Sequence, residues 1–369
     1  MRIGLVVTGG VDRTGRERVI PALLWLIERL ARRHELHVFA LRHYPEPRSY
    51  ALLGATVHDL GRADGVRGLG RPRQRRRLMA AIHDTGPFDV LHAYWGIPAG
   101  LVTTEVARHL SVPSVVTFDS GELVSLPDIL YGLQRRWIDR RAIAGTAKAA
   151  TRITVCTEYM ASLATAHGIR VEHIPLGVDT RSFVPSEHAD GPPWRLLHVA
   201  SLNRVKDHQT LFRALARVVA RLPQVHLDVV GEDTLRGATR TMCAQLGLDP
   251  SVTFHGFQPS DRLAPFYQRA HLHLLSSRHE AAGVVTLEAA ASGLATVGTA
   301  VGYVADWADD RAVAVPVGNA DALADGVITL LRDPARRTRL AQAARAWTLA
   351  HDADWTAREF ERIYAELVA

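Results

Sequence analysis

The sequence predicts an α/β protein of two units, each a parallel sheet covered by helices. Three observations carry that expectation. The chain has 369 residues, more than a single hydrophobic core usually serves. Short β-rich apolar runs alternate with helical patterns along its length. The alternation stops at a polar, proline-containing linker near residue 180 and then starts again.

In the first series, Ile3–Val7 reads as a strand, followed by Gly9-Gly10 and an amphipathic helix through about Glu17–Arg32. Further short strands are expected at Leu36–Leu41, Val57–Leu60, Asp89–Ala93, Ser114–Thr117 and Arg152–Cys156. Arg71, Arg73, Arg75, Arg76 and Arg77 form a basic run beside Gly and Pro, read as a mobile surface loop entering a helix. The stretch HIPLGVD, His173–Asp179, closes the series, and Pro185, Pro192 and Pro193 follow in the linker. Strands resume at Arg195–Ala200, Val225–Val230, Val252–His255, Leu272–Leu275, Ala295–Val297 and Ala312–Val315. The expected domains are residues 1–178 and 179–345. Residues 346–369 are a helical tail, with Trp347, Trp355, Phe360 and Tyr364 docking it back across the junction.

Composition narrows the classes. With 47% hydrophobic and 22% charged residues the chain is an ordinary globular protein. Its net charge of +6 suggests an anionic partner: a sugar nucleotide, an anionic membrane surface or nucleic acid. Nucleic acid ranks last, because no recognisable binding motif is present and few aromatics interleave the arginine run. Two cysteines, Cys156 and Cys243, make no disulfide framework and no metal spacing, which fits a reducing compartment. The N-terminal apolar run turns at once into Gly-Gly and charge, and no apolar stretch is long enough to span a bilayer. A cytoplasmic protein is expected, with peripheral contact at the inner membrane face left open.

The chemistry concentrates at Glu280-Ala-Ala-Gly-Val-Val-Thr-Leu-Glu288. A strand precedes this segment and a helix follows. Gly283 lets backbone approach a ligand closely, and the N–H groups of Gly283, Val284 and Val285 open the helix, where the positive end of its dipole favours a diphosphate. Two carboxylates beside such a cradle suit a sugar nucleotide, because each can accept hydrogen bonds from a vicinal diol. The plainer account makes Glu280 a surface loop residue and Glu288 a favourable early-helix acid; the glycine and the strand-to-helix context weigh against it. A second signal is Arg204-Val-Lys206, leaving the carboxyl end of a strand, where α/β proteins bind ligands. Lysine occurs only at Lys148 and Lys206 in a chain that otherwise uses arginine. Weaker signals are Gly9-Gly10, which does not fit the dinucleotide fingerprint, the turn at Gly231, and Phe257, an aromatic within reach of a nucleobase or simply packed between strand and helix.

Taken together these segments resemble glycosyltransferase family 4, whose members are retaining GT-B enzymes. The likeness runs almost continuously through SLNRVKDHQTLFRAL, LDVVGED, SSRHEAAGVVTLEAAASGLATVGTAVG and VAVPVGNADALADG, and more loosely through GLVVTGG, FDVLHAYWGIPAG and VPSVVTFDSGEL. The resemblance implies two Rossmann-like domains with parallel sheets facing across a cleft. It implies a nucleoside-diphosphate sugar as donor, with UDP or GDP leading, no further cofactor and no metal. Glu288 would bind the ribose and Glu280 the donor sugar. Lys206 and the Gly283–Val285 backbone would hold the diphosphate, with Gly9 and Gly10 close to it. The family often has Gly-Arg where this chain has Ala200-Ser201, leaving Arg204 as a nearby replacement, and often a histidine where this chain has Asp119. Asp119 or His92 would then face the acceptor, which is open between a lipid-linked sugar, an aglycone and a small metabolite. A sugar-nucleotide epimerase on the same fold is the nearest alternative.

Overall fold

The computed structural model describes residues 1–62, 70–187 and 190–369. By its internal contacts the chain divides into Met1–Leu176 together with Ala353–Ala369, and Gly177–Asp352.

In the first unit the strands are β1 (Arg2–Val7), β2 (Glu35–Ala40), β3 (Arg48–Leu52), β4 (Ala55–Asp59), β5 (Val90–Tyr94), β6 (Ser114–Phe118), β7 (Arg152–Val155) and β8 (Glu172–His173). They lie in the order β3-β4-β2-β1-β5-β6-β7-β8. All pairings are parallel except β3 with β4. Strands β5 and β6 are buried throughout, and β1 nearly so, as expected for a parallel sheet covered on both faces. The antiparallel β3 was not anticipated. Its sequence RSYAL offers only Leu52 fully to the core, because it is an edge strand, and that gives little hydrophobic pattern to read.

The second unit has β9 (Trp194–Val199), β10 (Val225–Val230), β11 (Val252–Gly256), β12 (Leu272–Leu275), β13 (Thr296–Thr299) and β14 (Ala312–Val315). Their order is β11-β10-β9-β12-β13-β14, all parallel. Its core joins Leu196, Leu227 and Leu272 of the sheet to Leu211, Phe212 and Leu215 of one helix and Leu323, Val327 and Leu331 of another. In each sheet the chain fills one side of its first strand and then crosses to the other. The reversal lies between β1 and β5 in one unit and between β9 and β12 in the other. The carboxyl ends of strands at such a reversal form a natural crevice.

Four expectations need correction. The first helix spans Pro21–Ala31, not Glu17–Arg32: Pro21 occupies its first turn, and residues before it are held in a loop by a Val11–Val19 bridge and by the buried Asp12 carboxylate. Asp12 accepts hydrogen bonds from Tyr44 Oη (2.9 Å), Thr14 and Arg18. The arginine run lies within the helix Gly70–Thr85, with Gln74, Leu78 and Ile82 buried at four-residue spacing and the arginines on its outer faces. The C-terminal helical stretch is two helices, Pro334–Ala350 and Ala353–Val368, assigned to different units. Trp347 does not dock across a junction; its ring packs within the second unit against Tyr303 and Trp307, at centroid distances of 5.3 and 5.2 Å. Ala353–Val368 places Phe360 and Tyr364 in the core of the first unit, and Thr356 Oγ1 donates to the Pro175 carbonyl (2.7 Å).

One glycine position tests this packing. A Cβ on Gly231 would come within 1.9 Å of the Ala200 carbonyl oxygen, whereas one on Gly145, in the helix Trp137–Ala149, would meet nothing within 4 Å. In urea denaturation Gly231→Ala is expected to destabilise by about 1–3 kcal/mol or more. Gly145→Ala should stabilise by about 0.5–1 kcal/mol through its helix propensity.

Candidate active site

At the reversal of the second sheet, the loop after β9 and the loop after β12 are joined by side chains and backbone alike. Asn203 accepts the Val205 N–H (3.2 Å) and starts a 3-10 turn, Arg204–Lys206. Asp207, in the left-handed region at φ +48°, then caps the helix His208–Arg221 through Thr210. The turn is tied to its neighbour by Ser276 Oγ donating to the Lys206 carbonyl (2.7 Å) and by the Arg278 N–H donating to the Val205 carbonyl (2.7 Å). Lys206 Nζ donates to Glu280 Oε1 at 2.5 Å, and Ser277 Oγ donates to the same oxygen. Burial pushes the Glu280 carboxyl up. The Lys206 charge and the hydrogen bonds from Lys206 and Ser277 outweigh it and hold the group below its ordinary value.

Three residues on, Gly283 adopts φ +76° and caps the helix Val284–Ala291. The N–H groups of Val284 and Val285 open this helix, where helical geometry provides no acceptor for them. A Cβ at Gly302 would lie 2.4 Å from the Ala282 carbonyl, so the loop after β13 closes tightly behind the same segment. Glu288, one turn into the helix, is buried and accepts a hydrogen bond from Tyr267 Oη (2.6 Å). Here burial dominates, and although the Tyr267 hydrogen bond opposes it the carboxyl is pushed up to about 7. The two glutamates thus stand in opposite electrostatic settings on one loop-and-helix segment.

The geometry therefore brings together Lys206, Glu280, Gly283 and the helix start. Arg204 is exposed on the same turn as Lys206. Gly231 abuts the Ala200 carbonyl, so the chain's own packing requires a glycine there. Phe257 follows β11 and is half exposed, at 51%, so it is not packed between strand and helix. Sequence reasoning missed Tyr267, which partners Glu288, and two buried neutral histidines near Lys206. His198, on β9, has Nδ1 2.9 Å from the Leu274 carbonyl, and its ring lies 5.2 Å from that of His208. Burial lowers them to about 4 and about 3. Within the apolar run LLHVA, His198 could have been flagged as a strand residue pointing into the core; nothing local marks Tyr267.

In the first unit, the loops at the sheet reversal line a pocket of about 530 Å3, including Gly9, Trp95, Glu122, Leu130, Tyr131 and Arg135. Gly10 takes φ +82° beside Ile20. Trp95, directly after β5, is held at φ +72°, ψ +142°, a conformation that non-glycine residues adopt only under constraint and at about 1–3 kcal/mol. Glu122 is buried; its two oxygens accept the Gly96 N–H (3.0 Å) and the Ser120 N–H (2.8 Å), which clamps the loops after β5 and β6 together. Asp119 stands at the end of β6 and accepts from Cys156 Sγ (3.2 Å). His92 does not face an acceptor. It is fully buried on β5, with its ring nitrogens 2.5 Å from Tyr364 Oη and 2.8 Å from Thr117 Oγ1, so it anchors the C-terminal helix. Among the described residues no group of three or more His, Cys, Asp or Glu is arranged to hold a metal ion, and no helix is long and apolar enough to cross a membrane.

With this geometry in hand, comparison with known proteins is specific. The family profile "Glycosyl transferases group 1" matches residues 179–347, and that of the "Glycosyl transferase 4-like domain" matches residues 19–177. A D-inositol 3-phosphate glycosyltransferase of Arthrobacter sp. (strain FB24) is 29% identical over 280 residues, covering 70% of this chain and 66% of its own. A phosphatidyl-myo-inositol mannosyltransferase of Mycobacterium tuberculosis is 30% identical over 298 residues, covering 76% and 74% respectively. The solved sucrose-phosphate synthase of Thermosynechococcus elongatus shares the fold, with a TM-score of 0.83 at 20% identity over 100% of this chain and 99% of its own. Two parallel-sheet α/β domains, each matched by its own profile, place the chain in the glycosyl transferases group 1 family.

Proposed function

We propose that this glycosyltransferase moves a sugar from a nucleoside-diphosphate sugar, with UDP or GDP as the nucleotide, to a hydroxyl acceptor with retention of anomeric configuration. The observation that carries the proposal is the Lys206–Glu280 pair set against the glycine-capped start of Val284–Ala291. A cation and a helix N-terminus together suit a diphosphate, whose negative charge grows as the sugar leaves. In this reading Lys206 turns from Glu280 toward the diphosphate, with Arg204 beside it. Glu280 is then released to accept hydrogen bonds from the donor sugar, and Glu288 accepts those of the ribose hydroxyls. The departing diphosphate oxygen accepts the proton of the incoming hydroxyl, so no protein nucleophile is needed. Phe257 offers a ring to the base.

The acceptor is assigned to the pocket lined by Trp95, Tyr131 and Arg135, with Asp119 next in sequence to its lining residue Ser120. The names of the two relatives, an inositol 3-phosphate and a phosphatidyl-myo-inositol enzyme, support an acceptor of phosphorylated polyol or lipid-linked type. The net charge of +6 supports a peripheral contact with an anionic membrane surface. A thermal-shift panel of UDP-, GDP-, ADP- and dTDP-sugars tests the donor assignment, since a ligand stabilises the fold in proportion to its occupancy. No shift with any of them would remove it.

Three variants probe the roles. Lys206→Ala is expected to lower turnover by about a hundredfold or more with the circular dichroism spectrum retained; near-normal single-turnover rates would take Lys206 out of the mechanism. For Glu288, only the ionised carboxylate accepts from both ribose hydroxyls, and burial sets its titration near pH 7. Donor affinity by calorimetry should therefore hold above that value and weaken as pH falls through it, by about tenfold per unit at the limit. In Glu288→Gln the affinity should be weak and flat, and a flat wild-type profile between pH 6 and 8 would argue against ribose contact. Trp95→Gly relieves a strained backbone while removing a pocket wall. Its stability in urea should stay within about 1 kcal/mol of the parent, because relief of strain offsets lost contacts. Its KM for acceptor should rise with donor affinity unchanged.

A further inference from the structure

Three of the large apolar side chains exposed on the described surface fall within nine positions of one another: Leu130 (67% exposed), Trp137 (62%) and Ile138 (51%). The chain makes a tight turn closed by the Leu126–Tyr131 bridge, and Leu130 sits at its tip in the left-handed region at φ +58°. A branched residue is disfavoured in that conformation, and here it directs an apolar side chain to solvent. The Leu130 carbonyl is held by the Arg135 guanidinium. The helix Trp137–Ala149 then starts with Trp137 and Ile138 both outward, and the Arg141 guanidinium lies over the Trp137 ring at 5.8 Å. Arg136, Arg140 and Arg141 are exposed around these two residues. Arg136 has an acidic neighbour on this strip, Asp139 at 3.9 Å, and among the described residues Arg135, Arg140 and Arg141 form no ion pair within it.

We infer that the strip Leu130–Arg141 is a docking surface for an anionic lipid bilayer. Exposed Trp, Ile and Leu interleaved with arginines are the chemistry of the bilayer interface. There an indole sits at headgroup depth, aliphatic side chains enter the acyl boundary and guanidinium groups meet lipid phosphates. The arginine-rich helix Gly70–Thr85 carries charge but presents no comparable exposed apolar side chain, so it does not meet both requirements. The strip is also continuous with the first unit's pocket, because Leu130, Leu133 and Arg135 line that pocket. A lipid-linked hydroxyl held at the interface would therefore reach the pocket without its tail leaving the bilayer. This last step rests on the acceptor assignment above; the bilayer contact does not.

The test is co-sedimentation of the full chain with vesicles of phosphatidylcholine alone and of phosphatidylcholine with phosphatidylserine, neither of which carries a free headgroup hydroxyl to act as an acceptor. Binding is expected only with the anionic lipid and should weaken with added salt. Trp137→Ser/Ile138→Ser should lower partitioning by about tenfold or more, while donor-nucleotide affinity by calorimetry and the melting temperature stay at parent values. Arg75→Glu/Arg76→Glu should bind far closer to the parent than that variant. Equal binding by the parent and the Trp137/Ile138 variant, or loss confined to the Arg75/Arg76 variant, overturns the inference. So does an absence of vesicle binding together with a solution dimer that the Trp137 substitution dissolves, which would make the strip a protein interface. If vesicles bind as expected but a lipid acceptor is not glycosylated, the acceptor assignment fails and the docking surface stands.

Discussion

Glu280 carries its carboxylate largely sheltered from water, its side chain 12% exposed, and the ammonium of Lys206 lies 2.5 Å away. An unpaired charge there would be strongly destabilising, on the order of several kcal/mol, so each group fixes the place of the other. The pair closes a junction that the backbone has already begun, through Arg278 to Val205 and Ser276 to the Lys206 carbonyl. The loops after β9 and β12 therefore behave as one rigid piece. Every other feature of the donor side is referred to that piece: the cap at Gly283 follows Glu280 by three residues, and Gly302 packs against the intervening Ala282 carbonyl. A polyanion entering such a site does not have to build a cation's position. It competes with Glu280 for one that already exists.

That competition explains why the segment uses two glutamates and not one. Glu280 is held below its ordinary range because a cation sits on it, and Glu288 is pushed up to about 7 because burial finds only a phenol opposing it. Two carboxylates whose surroundings push their titrations apart take different parts in binding. In the proposed mechanism one holds the lysine in readiness and becomes free when the lysine is drawn to the diphosphate. The other accepts hydrogen bonds at an energy that depends on its ionisation, so a diol can shift it.

Much of this was legible in the residues. Alternating apolar runs and turn residues located the interior strands of both sheets, because buried parallel strands are nearly uniform in their apolar content. Glu280, Gly283 and Glu288 stood out because their residue types matched one ligand chemistry at one strand-to-helix transition, and Lys206 because it leaves the carboxyl end of another strand. What stayed hidden depends on neighbours distant in sequence. Arg71–Arg77 read as a loop from its charge, yet Gln74, Leu78 and Ile82 bury a helical stripe that high charge density obscures. His92 looked available because histidines so often are; its two partners, Thr117 and Tyr364, are 25 and 272 residues away. Tyr267 has no local signature either, since only the fold brings it to Glu288. The strain at Trp95 is a backbone property that its side chain does not announce.

The two units solve different problems with the same topology. In the proposed reading the second unit meets a ligand of fixed negative charge, so it can commit a lysine, a helix start and a clamped loop to it before the ligand arrives. The first unit has the reversal of its sheet between β1 and β5, but its loops carry Trp95 in a strained backbone, Tyr131, Leu130 and a single arginine where the other carries its ion pair. The buried carboxylate that lines its pocket, Glu122, accepts backbone N–H groups with both oxygens. Such a wall offers shape and apolar surface, with Arg135 as the cation on its lining. A parallel sheet supplies the crevice in both cases, and the loop residues decide what can occupy it. That division is the reason the proposed donor side could be read from a short motif while the proposed acceptor side required the folded chain.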